Sequence, residues 1–160
     1  MKLASLYSGG KDSNYAIFEM SQRGYEVVCL ISIETMNMDS LLFHFPNIRF
    51  TSILAEAINL PIRRFQSNSS KLGDELLALE NALVNVRDEF EIQGVVHGGI
   101  SSNFQKRNFG TICKKLGLTV FSPLWSMDPS KYIHKMIDQK FEIVIVGVSA
   151  LGLEREWLGT

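Results

Sequence analysis

Six short apolar runs, at residues 3–7, 27–33, 61–65, 94–97, 119–121 and 143–148, are spaced along the chain, with amphipathic stretches in most of the gaps. Runs of that length read as strands and the stretches between them as helices. Residues 12–23 carry Tyr15, Ile17, Phe18 and Met20 at helical spacing, with Gly24 where a helix-ending glycine belongs. Residues 47–59 set Ile48, Phe50, Ile53, Leu54, Ala57 and Ile58 broadly on one side, and Leu60-Pro61 ends that helix. Residues 72–90 and 104–116 predict two more helices, the second closed by Gly117, and residues 130–139 form a further amphipathic run. Residues 66–71 are a polar loop, and residues 35–45 an irregular stretch rich in Met and Phe.

Short, nearly unbroken strands alternating with helices predict an α/β fold: three layers, α/β/α, around a mostly parallel, Rossmann-like sheet of five to six strands. Right-handed crossovers are the default. With no repeat, low-complexity tract or Gly/Ser/Pro linker, residues 1–160 read as a single domain. Ligands of such sheets bind beyond the carboxyl ends of the strands, where strand order reverses. Loops 8–12, 34–46, 98–107 and 122–128 each follow a predicted strand and should share that rim.

Composition narrows the function classes. At 46% apolar residues the chain supports a core, and sixteen Lys plus Arg against seventeen Asp plus Glu leave a net charge of −1. That balance gives no global electrostatic reason to expect nucleic acid or an anionic membrane. Cys29 and Cys113 lack metal-ligand spacing and read as reduced core thiols. No apolar stretch approaches the roughly 18 residues of a membrane helix, and no leader precedes the first strand, so a cytoplasmic protein is expected.

The chemistry concentrates after the first strand, where the chain reads Ser8-Gly9-Gly10-Lys11-Asp12-Ser13 and enters a helix. A helix start offers free backbone N–H groups and a positive dipole end, a site for phosphate. Gly9 and Gly10 admit close approach, Ser8 and Ser13 add hydroxyls, and Lys11 adds charge. Asp12 beside a phosphate makes sense as a magnesium ligand or as an N-cap. The loop is neither a Walker A motif nor a dinucleotide fingerprint. It resembles the Ser-Gly-Gly-x-Asp-Ser signature of the PP-loop ATPases, the adenine nucleotide α-hydrolase-like enzymes. The resemblance implies a HUP-type fold in which the loop holds the β and γ phosphates of ATP while a substrate oxygen attacks the α phosphorus.

Later elements resemble one family within that group: Phe43-His44-Phe45-Pro46-Asn47, His97-Gly98-Gly99-Ile100 leading to Phe104-Gln105-Lys106-Arg107, Pro123-Leu124-Trp125, and Val146-Gly147-Val148-Ser149-Ala150-Leu151-Gly152 with Trp157-Leu158-Gly159. The family is that of the diphthine–ammonia ligases, which amidate a carboxylate on the modified histidine of elongation factor 2 using ATP and ammonium. The likeness implies an ATP pyrophosphatase-type amide ligase with ATP and Mg²⁺ as cofactors and elongation factor 2 as protein partner. A homodimer is left open.

Residue by residue, it implies that Ser8, Gly9, Gly10, Lys11, Asp12 and Ser13 hold the phosphates, with Asp12 on the metal, and that Gly98, Gly99 and Ile100 lie against the adenosine. Lys11, Asp12 and Arg107 are the candidate catalytic residues, with a solvated basic helix face as the other reading of Arg107. His44, Asn47, Gln105, Trp125 and Asp128 are candidate substrate contacts. The plain alternatives are a structural histidine, a core tryptophan and a helix-starting aspartate. Two departures stand out: Gly99 where alanine is usual, and Arg107 one place early, with Asn108 in its usual position. The family usually continues past the point reached by Thr160, into a Gly-Glu-rich element that helps build the acceptor site, so the expectation for these residues centres on nucleotide binding. A nucleotide-binding protein without full ligase activity and a tRNA-modifying PP-loop enzyme are the alternatives, though the latter calls for paired cysteines and a basic face.

Overall fold

The computed structural model describes residues 1–35, 40, 42–43, 48–69, 71–148 and 150–160. It divides into two compact units, Met1–Ser126 and Met127–Thr160.

In the first unit the elements run β1 (Lys2–Leu6), α1 (Lys11–Gln22), β2 (Glu26–Glu34), a 3₁₀ turn (Ile48–Phe50) leading into α2 (Thr51–Ala57), β3 (Ile62–Gln66), α3 (Leu72–Phe90), β4 (Gly94–His97), α4 (Asn103–Lys115) and β5 (Thr119–Phe121). The strands make one five-stranded sheet in the order β3-β2-β1-β4-β5, with every pairing parallel. This is the expected Rossmann-like α/β sheet. Growth runs outward from β1 to β2 and β3, then returns to the other side of β1 for β4 and β5. The carboxyl ends of β1 and β4 therefore flank the reversal of strand order, where open α/β sheets bind ligands.

Alternation along β2 divides the core. Cys29, Ile31 and Ile33 join Leu79, Leu83 and Val86 of α3 and Phe109, Ile112 and Cys113 of α4 in one cluster. Leu42 and Phe43 cap this cluster at its rim end. With right-handed crossovers, α1 and α2 cover the opposite face, where Tyr15, Ala16 and Met20 of α1 are fully buried. α3 keeps a buried stripe at Glu75, Ala78, Leu79, Ala82, Leu83 and Val86; the helix expected over residues 72–90 forms, while Leu77 within it is exposed.

The second unit holds α5 (Pro129–Asp138), where the amphipathic run lay, and a 3₁₀ turn (Arg155–Trp157). Residues 143–148 do not form the sixth strand. Ile145 exchanges backbone hydrogen bonds with Gly159 and Thr160, while Val144 and Val146 are exposed. An apolar run signals a strand only where it also joins a ladder, and among the described residues no strand is assigned over 143–148. Among the described residues, no helix is long and apolar enough to cross a membrane.

Candidate functional site

β1 delivers the chain to the rim, and the turn that follows is held by its own side chains. Gly9 sits at φ +75°, in the left-handed region, and a Cβ there would lie 2.6 Å from Leu54 Cδ1 of α2. Asn14, a turn into α1, donates from Nδ2 to the carbonyls of Gly9 (3.2 Å) and Gly10 (3.0 Å). Its Oδ1 accepts from the buried Tyr7 hydroxyl at 3.0 Å, and burial raises the pKa of that phenol. Ser13 Oγ donates to the Gly10 carbonyl at 3.0 Å, and Ser8 Oγ accepts the Gly10 N–H at 3.3 Å. Asn14 is thus a second support of the loop, visible in sequence only as the residue after the motif.

Gly10 is the N-cap of α1, so Asp12 lies inside the first turn and not at the cap. Of the two readings of Asp12, the N-cap is not adopted. Its carboxylate pairs with Lys11 Nζ at 2.6 Å, both side chains being about two-fifths exposed (41% and 37%). The start of α1 brings its first backbone N–H groups and its positive dipole end to this rim, the kind of place that binds an anion.

The turn after β4 closes on this loop. A Cβ on Gly98 would lie 2.5 Å from the Asp12 carbonyl carbon, 2.6 Å from its oxygen and 2.8 Å from the Ser13 nitrogen, so the two backbones touch. Between them opens a cavity of about 370 Å³, lined by Leu6, Ser8, Asp12, Ser13, Leu42, Phe43, His97, Gly98, Gly99, Ile100, Ser101, Ser102, Gln105 and Phe109. That is within the span of small-molecule sites, roughly 300–1,000 Å³. Asp12 is the one carboxylate among these residues, and no cluster of three or more His, Cys, Asp or Glu able to hold a metal occurs among the described residues.

α4 contributes through one face. Ser102 caps it, accepting the Gln105 N–H at 3.3 Å, and Gln105 reaches back to donate from Nε2 to the Leu42 carbonyl at 3.0 Å. Gln105 and Phe109, one turn apart, face the cavity. Arg107, two residues from each, falls on the exposed side of α4 and is not brought to the phosphate loop. Lys106 Nζ lies 4.0 Å from the centroid of the Trp125 ring, joining α4 to the loop after β5 by a cation–π contact. Asp128, in the second unit, caps α5 by accepting the Lys131 N–H at 2.9 Å, realising its helix-starting alternative. His44 and Asn47 lie outside the described residues.

Sequence reasoning missed Leu6, Ser101, Ser102 and Phe109 as cavity residues, and left His97 without a role. Ser102-x-x-Gln105 was the readable signal, being the pattern of a capping box. His97 is 3% exposed and lines the cavity, and burial, then the Lys106 charge, push its pKa down to about 4.

Residues 1–120 match the family described as diphthamide synthase N-terminal domain. Among curated relatives, the diphthine–ammonia ligase of Rattus norvegicus is 30% identical over 96% of this chain, and that of Homo sapiens 28% over 96%. The chain spans 64% of the length of each of these two, and 28% of the diphthine–ammonia ligase of Saccharomyces cerevisiae, to which it is 29% identical. Among solved structures, a predicted tRNA methyltransferase subunit of Methanocaldococcus jannaschii superposes with a TM-score of 0.58 at 16% identity, covering 94% of this chain and 81% of the other. A U34-tRNA thiolase of Methanococcus maripaludis gives 0.51 at 15%, covering 94% and 61%, and both likenesses bear on the fold alone. With three quarters of its length inside the matched region and its glycine loop at the sheet's switch point, the chain belongs to the diphthamide synthase N-terminal domain family.

Proposed function

We propose that these residues form the nucleotide half of an ATP-dependent amide ligase that converts diphthine to diphthamide on elongation factor 2. The observation carrying the reading is the junction of the phosphate loop with the 98–100 turn at the switch point, in a chain of this family. The triphosphate lies on the N–H groups at the start of α1 and the adenosine against the 98–100 turn, with Leu42 and Phe43 supplying an apolar wall. Gln105 and Trp125 are assigned to the acceptor side. Arg107, turned away from the cavity, has no part in the proposal.

The acceptor carboxylate is already ionised at neutral pH and needs no base. One of its oxygens attacks the α phosphorus, the bond from that phosphorus to the β-phosphate bridging oxygen breaks, and pyrophosphate leaves. The nitrogen of ammonia then attacks the acyl carbon, the bond to AMP breaks, and a proton passes to water. Lys11 offsets charge on the departing pyrophosphate. Asp12, the one carboxylate among the described residues of the wall, would suit Mg²⁺, which commonly takes one or two protein carboxylates and completes its shell with phosphate and water. Bound there, the ion neutralises phosphate charge. Ammonia comes from solution. Cys29 and Cys113 are fully buried, and desolvation pushes both thiols up to about 12, so neither offers the thiolate of a glutaminase. The acceptor puts the protein in the cytoplasm.

The test is incubation of the chain with α-labelled ATP, Mg²⁺, ammonium and diphthine-bearing elongation factor 2. AMP release that needs both ammonium and acceptor, and that Lys11→Ala abolishes, is expected. ADP as the sole product overturns cleavage between the α and β phosphates.

A further inference from the structure

His97 ends β4 with both ring nitrogens engaged. The Gly99 N–H donates to Nδ1 at 3.1 Å, and Nε2 lies 2.7 Å from Ser122 Oγ. A backbone N–H can only donate, so Nδ1 carries no hydrogen. The neutral ring then holds its hydrogen on Nε2 and donates it to Ser122. The low pKa of the ring keeps it neutral at ordinary pH. Phe109 meets the ring edge-on, with centroids 5.1 Å apart at 76°, which fixes its tilt. A Cβ on Gly99 would fall 2.8 Å from Nδ1, so the turn must fold tightly over the imidazole. A second tie, from the Ser126 N–H to the Ile100 carbonyl at 2.9 Å, joins the same two loops.

The turn held in this way is the one that touches α1 through Gly98. We propose that His97 is a positioning residue of the nucleotide site: by accepting from Gly99 at Nδ1, with the bond from Nε2 to Ser122 serving to fix the tautomer that leaves Nδ1 able to accept, it holds the 98–100 turn at the distance from the phosphate loop that the ligand requires. This rests on the ATP reading of the cavity. A histidine that merely filled space would be replaceable by any ring of similar size. A positioning histidine is replaceable only by a side chain that restores the bond to Gly99. Asparagine puts its amide oxygen near the place of Nδ1, glutamine reaches only the place of Nε2, and phenylalanine keeps the shape with neither bond.

The experiment has two arms on the full chain. In the first, imidazole nitrogen NMR of the ligand-free protein is expected to show the Nε2–H tautomer for His97; the Nδ1–H tautomer overturns the inference. In the second, Mg·ATP dissociation constants are measured for wild type, His97→Phe, His97→Gln and His97→Asn, with folding checked by thermal unfolding. His97→Phe and His97→Gln should bind about tenfold more weakly, the scale of one lost hydrogen bond, while His97→Asn stays within about threefold of wild type. Folded His97→Phe or His97→Gln with wild-type affinity overturns the proposal, as does equal weakening in all three. Should His97→Phe fail to fold, His97→Gln against His97→Asn decides it in the same way. Wild-type protein with the expected tautomer but no ATP binding overturns the ATP reading and the ligand half of this inference. Wild-type protein that binds ATP with the opposite tautomer overturns this inference alone.

Discussion

A single methyl group at Gly98 tests whether the two loops of the site touch. The residue is not in the left-handed region, so alanine brings no backbone strain, and the whole effect is steric. Its Cβ would enter at 2.5 Å from the Asp12 carbonyl carbon and 2.8 Å from the Ser13 nitrogen, against the roughly 3.5–4.0 Å of a relaxed carbon contact. No rotamer relieves the clash, because the opposing atoms are backbone in the first turn of α1. The loops must part by about 1 Å, which as overpacking costs about 1–3 kcal/mol, or a fall of about 3–10 °C in melting temperature for a domain of this size. Because the displaced turn is the nucleotide wall, Mg·ATP affinity should fall by about tenfold or more, in line with the effect of 1 Å errors in binding geometry. Gly110→Ala is the control. It lies inside α4 with nothing within 4 Å of its Cβ, and should gain about 0.5–1 kcal/mol from helix propensity without touching affinity. Thermal unfolding and calorimetric titration of the two variants read opposite signs. If Gly98→Ala melts and binds like wild type, the two loops are not in contact and the junction is wrong.

Two further perturbations probe buried ionisable groups. The His97 pKa is pushed down to about 4 in the fold, against about 6.5 unfolded, so the unfolded chain binds more protons between those values and stability is lost as pH falls through them. The loss totals about 3 kcal/mol from pH 7 to below 4; denaturant melts of wild type and His97→Asn should converge by that amount, and a pH-independent difference refutes it. Glu75 on the buried stripe of α3 is fully buried, and neither carboxylate oxygen has a hydrogen-bond partner among the described residues, so Glu75→Leu should stabilise the protein by about 1–3 kcal/mol. A lower melting temperature for that variant would mean that the carboxylate is compensated and the reading of its surroundings wrong.

What was legible in the sequence was what neighbouring residues decide. The phosphate loop is such a case: two glycines, two hydroxyls and a helix start lie within six positions, and Asn14, whose side chain supports the turn, is one residue further on. The extent of α3 could be read from the apolar repeat of residues 72–90, which the helix occupies, but not every member of its buried face, since Leu77 is exposed and Glu75 is buried. The cavity opposite the loop was harder, because its members are chosen by partners far away. Gln105 matters through a carbonyl 63 positions earlier, and His97 through a hydroxyl 25 positions later. Neither distance leaves a trace in local pattern. Arg107 shows the converse: its charge suggested chemistry beside the plainer reading of a solvated basic face, and the helical repeat that put Gln105 and Phe109 on the cavity turns Arg107 to solvent. Residues 143–148 fail for a related reason, since an apolar run states that a strand would be stable if paired and says nothing about whether a neighbour exists. Gly98 joins the two kinds of information. Its lack of a side chain is written in the sequence, the backbone it must admit comes from α1 some 85 residues earlier, and the site exists because both are true at once.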